Sequence, residues 1–182
     1  MKIYTRFGDG GKTSIYKGKV MWKDELIFEV LGDLDELNCF IGYCRYYLRD
    51  KDLGEILRKI QLDIYRANIE IQYIESGDKF ENSISQEDVR RLEEIIDKYW
   101  SLVGELRGFI VPYGSEAGML LHITRTVCRR FERKLVKFIK EKLSLEEENY
   151  LVPYFNRLSD LLFTLSRYVS KMDGYVEEYV KD

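Results

Sequence analysis

The sequence predicts an all-α protein, a five-helix up-and-down bundle preceded by an extended, Gly-rich N-terminal loop. Three observations predict it. Apolar residues recur at alternating spacings of three and four over five separate stretches, and no stretch shows a convincing strand pattern. The stretches are joined by short breaks, which favours neighbouring helices of opposite direction. Residues 1–22 carry neither pattern and are rich in glycine and lysine.

The first stripe is Ile27, Val30, Leu34, Leu37, Ile41, Cys44 and Leu48, and the second is Leu57, Ile60, Ile64, Ala67, Ile71 and Ile74. A third helix opens at Ser85, where "SQED" reads as a cap, and continues through Val89, Leu92, Ile96 and Tyr99. A fourth begins near Ser115 and runs through Ala117, Leu120, Thr124, Val127 and Phe131. The fifth carries Leu151, Phe155, Leu158, Leu162, Leu165, Val169 and Met172. The breaks are "RDKD" (49–52), "SGDKFENS" (76–83), "GFIVPYGS" (108–115) and "SLEEEN" (144–149). We therefore expect one domain over 1–182, with the loop at 1–22, the bundle at 23–173 and a C-terminal tail at 174–182.

The net charge of −3 leaves no general footprint for nucleic acid or anionic membrane, so any anion site must be a local cluster. No apolar run reaches membrane-spanning length and no signal peptide opens the chain, so a cytoplasmic protein is expected. Cys39, Cys44 and Cys128 form no CxxC pair and are expected to be reduced thiols.

Residues 4–14, "YTRFGDGGKTS", end as a P-loop ends. The motif requires its first glycine at position 6, where Arg6 stands, and a strand–loop–helix setting that a helical chain lacks. What survives is the chemistry. Gly8, Gly10 and Gly11 let backbone N–H groups approach a ligand, Arg6, Lys12, Lys17, Lys19 and Lys23 add cations, and Thr13 and Ser14 add hydroxyls. Taken alone, the stretch is equally compatible with a floppy basic terminus. On the fourth helix His122, Arg125, Arg129 and Glu132 share one face, and paired arginines clamp anions; a solvated salt-bridge face has the same spacing. The first helix offers Asp33, Asp35 and Glu36, and the fifth Asn156, Ser159, Asp160 and Phe163. A carboxylate di-iron centre is excluded on ligand count, because His122 is the only histidine.

In this order, "KIYTRFGDGGKTS", "GDLDELNCFIG", "FIVPYGS", "RTVCRRFER" and "YFNRLSDLLFTLSRY" resemble the PduO-type ATP:cob(I)alamin adenosyltransferases over residues 2 to about 169. The resemblance implies a homotrimer with active sites between subunits. It implies transfer of the 5′-deoxyadenosyl group of ATP to cob(I)alamin, giving adenosylcobalamin and triphosphate. Mg²⁺ would enter on the ATP phosphates, and no protein ligand for it is assigned. By position, Thr5, Arg6, Gly8, Asp9, Gly10, Lys12, Thr13, Ser14 and Lys23 match the ATP-phosphate contacts. Arg129, Arg130, Glu132 and Arg133 match the helix that holds the nucleotide, and Asn156 matches the nucleoside contact. Asp35 and Arg125 match a salt bridge between subunits. Phe109 matches the aromatic beneath the corrin ring, where Tyr113 and Phe163 are also placed. The catalytic set is thus Arg129, Asp35, Arg125 and Phe109. An electron donor and an adenosylcobalamin-dependent enzyme are possible partners on the same basis.

Three positions depart from the family pattern. Phe7 stands for a small threonine, Tyr113 for the first glycine of "PGG", and Phe131 for an alanine, the last expected in the core. None removes a cation or carboxylate that the reaction needs. A non-catalytic carrier or sensor of nucleotide or corrinoid is the alternative from a different class, and a purely structural trimer is the third.

Overall fold

The computed structural model describes residues 2–81, 83–144 and 148–180. Parts of the expected loop, breaks and tail (residues 1, 82, 145–147 and 181–182) lie outside the described residues.

Five helices dominate: α1 (Leu26–Tyr47), α2 (Lys51–Ser76), α3 (Gln86–Val103), α4 (Glu116–Lys142) and α5 (Leu151–Met172). Their starts follow local chemistry. Asp50 accepts the Asp52 and Leu53 N–H groups at the head of α2, and Ser85 and Asp88 close a reciprocal capping box on α3. Ser115 accepts the Gly118 N–H to open α4. Gly77, at φ 76°, ends α2 in the left-handed conformation that costs glycine least.

Side-chain contacts fix the directions. Cys44 meets Thr124 and Lys134 meets Asp33, so α1 and α4 are antiparallel. Asn156 meets Glu132 and Ser166 meets His122, so α4 and α5 are antiparallel. Arg157 meets Glu93 and Tyr168 meets Tyr99, so α3 and α5 run parallel. The helices alternate in direction along the chain, yet α3 packs beside α5 and α1 beside α4. The 104–115 connection therefore crosses one end of the bundle.

The predicted stripes form the core: Val30, Leu34, Leu37, Ile41, Leu57, Ile71, Leu92, Leu158, Leu162 and Leu165 are all fully buried. Phe131 is there too, edge-on to Phe155 at 4.5 Å. Met172 is the exception: its helix has outrun the bundle and it is exposed. A buried ionic lock joins α2 to α3 and α5. Asp63, with no exposed surface, is bonded by Arg91, by Arg66 at 3.1 Å and by the Tyr154 hydroxyl at 3.0 Å. Arg66 and Arg91 both hold Asp88 as well. Burial alone would raise the Asp88 carboxyl, but hydrogen bonds from Arg66, Ser85 and Arg91 hold it well below the usual carboxylate range.

The expected N-terminal loop contains more order than its sequence predicts. Lys12–Ser14 (β1) pairs antiparallel with Val20–Trp22 (β2) in a small hairpin. The turn between them places Lys17 at φ 66° and Gly18 at φ 79°. Strands of three residues are too short to display alternation, so periodicity could not find them.

Candidate active site

The hairpin buries Ile15 and Met21 against the bundle. Tyr16 stacks on Tyr73 at 4.7 Å, and its N–H donates to Gln72. Lys17 pairs with Asp78, and Lys19 with Glu75, which also receives Lys142 from the end of α4. These contacts place the hairpin where α2 and α4 end. Ahead of it, Phe7–Gly10 forms a tight turn containing Gly8, Asp9 and Gly10. Arg6 enters that turn at φ 63°, a left-handed conformation that side chains other than glycine rarely take and that clusters at functional sites. The Thr5 hydroxyl accepts the Phe7 N–H, and the Phe7 ring itself is exposed. Lys23 donates to the Gly8 carbonyl at 2.9 Å; a side chain at Gly8 would begin 2.9 Å from that ammonium. Thr13 and Ser14 lie on β1 beside Lys12.

A second group gathers on α4 and α5. Arg125, Arg129 and Arg133 follow one another at four-residue spacing along one face of α4. Arg129 and Arg133 are exposed, and neither has an ion pair among the described residues. Arg125 is half-buried, and its Nε is sealed from solvent with no hydrogen-bond partner among those residues. Burial, and then the charge of Arg129, lower its proton affinity. Its guanidinium lies 5.9 Å from the centre of the Phe163 ring. Asn156 donates to Glu132 and accepts from Arg157 at 2.8 Å, which fixes the orientation of its amide. His122 is buried against Ser166 and Phe163. Burial, then Arg125, push its pKa down to about 4, so it is neutral near pH 7 and supplies no charge. Arg130 differs from the other arginines: it points to α1, where Glu36 and Asp33 hold it.

Phe109 and Tyr113 sit at the opposite end of the bundle, on the 104–115 crossover. Two backbone hydrogen bonds, Val111 N–H to Glu178 and Val180 N–H to Phe109, stitch this segment to the C-terminal tail. The tail is held by Glu177, which takes the buried Arg167 guanidinium and the Tyr179 hydroxyl. Phe109 is 86% exposed, an aromatic ring left for something else to cover. Tyr113 is also exposed and meets Tyr175 edge-on at 5.8 Å. Asp35 is exposed on α1, with no ion pair among the described residues.

A profile of the cobalamin adenosyltransferases matches residues 3–169. The chain belongs to this family. It is 35% identical to the corrinoid adenosyltransferase of Mus musculus, over 99% of this chain and 77% of that one. It is 36% identical to the corrinoid adenosyltransferase of Bacillus subtilis, over 96% and 89%. Among solved structures, a phenylalanine-to-histidine variant of the PduO-type ATP:corrinoid adenosyltransferase of Lactobacillus reuteri, complexed with cobalamin and ATP, superposes with a TM-score of 0.90. It shares 28% identity over 100% of this chain and 97% of that one.

Within this adenosyltransferase fold the expected residues fall into three groups. The loop residues from Thr5 to Lys23 are together at one end. Arg125, Arg129, Arg133, Glu132, Asn156 and Phe163 are together on α4 and α5. Phe109 and Tyr113 are at the end opposite the loop, where Tyr113 shares a small cleft with His122 and Ser166. The 27 residues of α4 alone separate the two ends by roughly 40 Å. Sequence reasoning missed the tail–crossover pairing and the tie of Arg130 to α1. The family match ends at residue 169, and the tail pattern "YVEEYV" is too short to read as a strand.

Proposed function

We propose that this chain transfers the 5′-deoxyadenosyl group of ATP to the cobalt of cob(I)alamin, releasing triphosphate. The observation that carries the proposal is a division among the cations. Those needed for docking are neutralised, whereas Arg6, Lys12 and Arg129, at positions matching the family's nucleotide contacts, have no carboxylate partner among the described residues. Uncompensated cations, two of them beside a glycine turn, suit a polyphosphate.

The chemistry requires little else. Cobalt(I) attacks the ribose C5′ in line, the C5′–O bond breaks, and its electron pair leaves on triphosphate. Cobalt is formally oxidised to cobalt(III), and no proton moves, so no general base is required. The chain places the two reactants and stabilises the departing charge with Arg6, Lys12, Lys23 and Arg129. Asn156, locked by Glu132 and Arg157, is set to meet the nucleoside. Mg²⁺ enters with the nucleotide; no cluster of three or more ligating side chains is set to hold it among the described residues. An external donor reduces cobalt(II). The Phe109 ring beneath the corrin excludes an axial ligand and eases that reduction.

The active unit is a homotrimer with sites between subunits. The separation of the phosphate loop from Phe109 supports this, since one reaction centre cannot draw on both from a single chain. Arg125, with its buried orphan Nε, and the unpaired Asp35 are complementary across such an interface. Three unpaired thiols fit a reducing, cytoplasmic setting, and no described helix is long and apolar enough to cross a membrane.

The test is an anaerobic mixture of protein, ATP, Mg²⁺ and chemically reduced cob(I)alamin, followed by visible spectroscopy. The adenosylcobalamin spectrum should appear with stoichiometric triphosphate. Binding of both substrates without conversion would replace the enzyme with a carrier or sensor.

A further inference from the structure

Among the described residues, one hairpin cation has an aromatic ring as its partner and no carboxylate; Lys17 also lies over a ring, 5.5 Å from the centre of Tyr73, but its charge is met by Asp78. Lys17 and Lys19 are ion-paired, and Lys23 donates to a backbone carbonyl. Lys12 has no carboxylate partner among the described residues; its ammonium lies 4.6 Å from the centre of the Trp22 ring. The two are direct partners in the ladder, Lys12 opposite Trp22, so their side chains share a face. The alternate pair, Thr13 and Met21, turns inward, with Met21 buried. Trp22 is fixed at both backbone groups: its N–H donates to the Glu25 carboxylate at 3.1 Å, and its carbonyl accepts the Glu25 N–H at 3.2 Å. The indole also lies against Gly11, where an added Cβ would sit 3.5 Å from the ring.

We propose that Trp22 is a positioning residue for Lys12, holding its ammonium ready for the oligophosphate of the nucleotide. A carboxylate in the same place would fix the lysine but cancel its charge. An aromatic face attracts the ammonium through its quadrupole and carries no net charge, so the cation remains available to an anion. This inference rests on the nucleotide-binding reading above and adds to it a residue that the family resemblance does not supply.

The chain has two tryptophans, so Trp100→Phe leaves Trp22 as the sole indole emitter. Titrating that protein with inorganic triphosphate should change Trp22 emission saturably, and adding Lys12→Met should abolish the change. In steady-state assays Trp22→Leu should raise the KM for ATP about threefold to fivefold with kcat unchanged, the scale of an exposed cation–π contact. Trp22→Phe, which keeps an aromatic face, should restore most of it. In the Lys12→Met background, Trp22→Leu should add nothing. Additive losses in the double variant, or an unchanged KM with silent Trp22 emission, would overturn the positioning role while adenosyl transfer itself continued. Failure of the unaltered chain to bind ATP or triphosphate would overturn both readings.

Discussion

At the scale of single residues, the proposed reaction rests most heavily on Arg129. It is exposed and without an ion pair among the described residues, so its removal takes nothing from the core. Arg129→Ala should lower adenosyl transfer on the order of 10²–10³-fold, as expected for a lost charge-stabilising donor, with an unchanged helical signal and melting temperature. Turnover at the original rate would remove it from the phosphate clamp. Glu70 carries a stability prediction instead. Burial pushes its pKa up to about 7, against the opposing Ile84 N–H bond and the Arg66 charge. A raised carboxyl means that the folded state binds the proton more tightly than the unfolded chain, whose value is 4.5. Its contribution to stability is therefore full below 4.5 and lost as pH rises through about 7. Glu70→Gln should be more stable than the parent at pH 8, and the gap should shrink as pH falls and close below 4.5, as measured by denaturant midpoints at each pH. A gap independent of pH would assign the effect to packing alone. His122, titrating in the opposite sense from its lowered value, is common to both proteins and cancels in the difference.

At the scale of elements, two segments outside the helices, the hairpin and the 104–115 crossover, join α4 and α5 in the proposed site. The hairpin is anchored by the Tyr16–Tyr73 stack, so Tyr16→Ala should loosen it. An aromatic pair is worth about 0.5–1.5 kcal/mol beyond burial, which corresponds to a rise in the KM for ATP of about twofold to tenfold, with kcat at saturation retained. A fall in kcat without change in KM would mean that the hairpin acts after binding. The crossover, stitched to the tail, presents Phe109. Phe109→Ala should slow turnover from cobalt(II) far more than from pre-reduced cobalt(I); equal losses would refute ligand exclusion. The helices were legible because each carries a long run of one period, and α3 and α4 also open on capping residues, Ser85 and Ser115. The α4 arginine face was legible for the same reason. The hairpin and the tail ribbon were not, since three residues do not establish a period and the pairing of Val111 with Glu178 joins distant parts of the chain. The Asp63–Arg91 lock was hidden for a different reason: charged residues at helical spacing read as solvated until the neighbouring helix is known.

For the whole molecule, the proposed trimer predicts that the parts of one site come from different copies. Arg6→Ala and Phe109→Ala place lesions at opposite ends of the bundle. If each site takes its phosphate loop from one chain and its aromatic from another, co-assembled mixtures of the two variants will contain some sites with neither lesion. Activity from cobalt(II) should then recover well above that of either variant alone. Separately purified variants mixed without subunit exchange should show no recovery, and a co-assembled mixture that stays inactive would place both groups in one chain. The pairing of residues 109–111 with 178–180 also has a bearing on biogenesis. The crossover is synthesised before α4 and α5, and its partner segment follows only several seconds later at ~5–20 residues per second. Helices α1 and α2 can pair during that interval, but Phe109 has no backbone partner until translation has passed α5. A chain terminated after α5 would thus fold its helices yet lack the segment that holds Phe109, and under the proposed function its handling of the corrinoid would report on synthesis through residue 180.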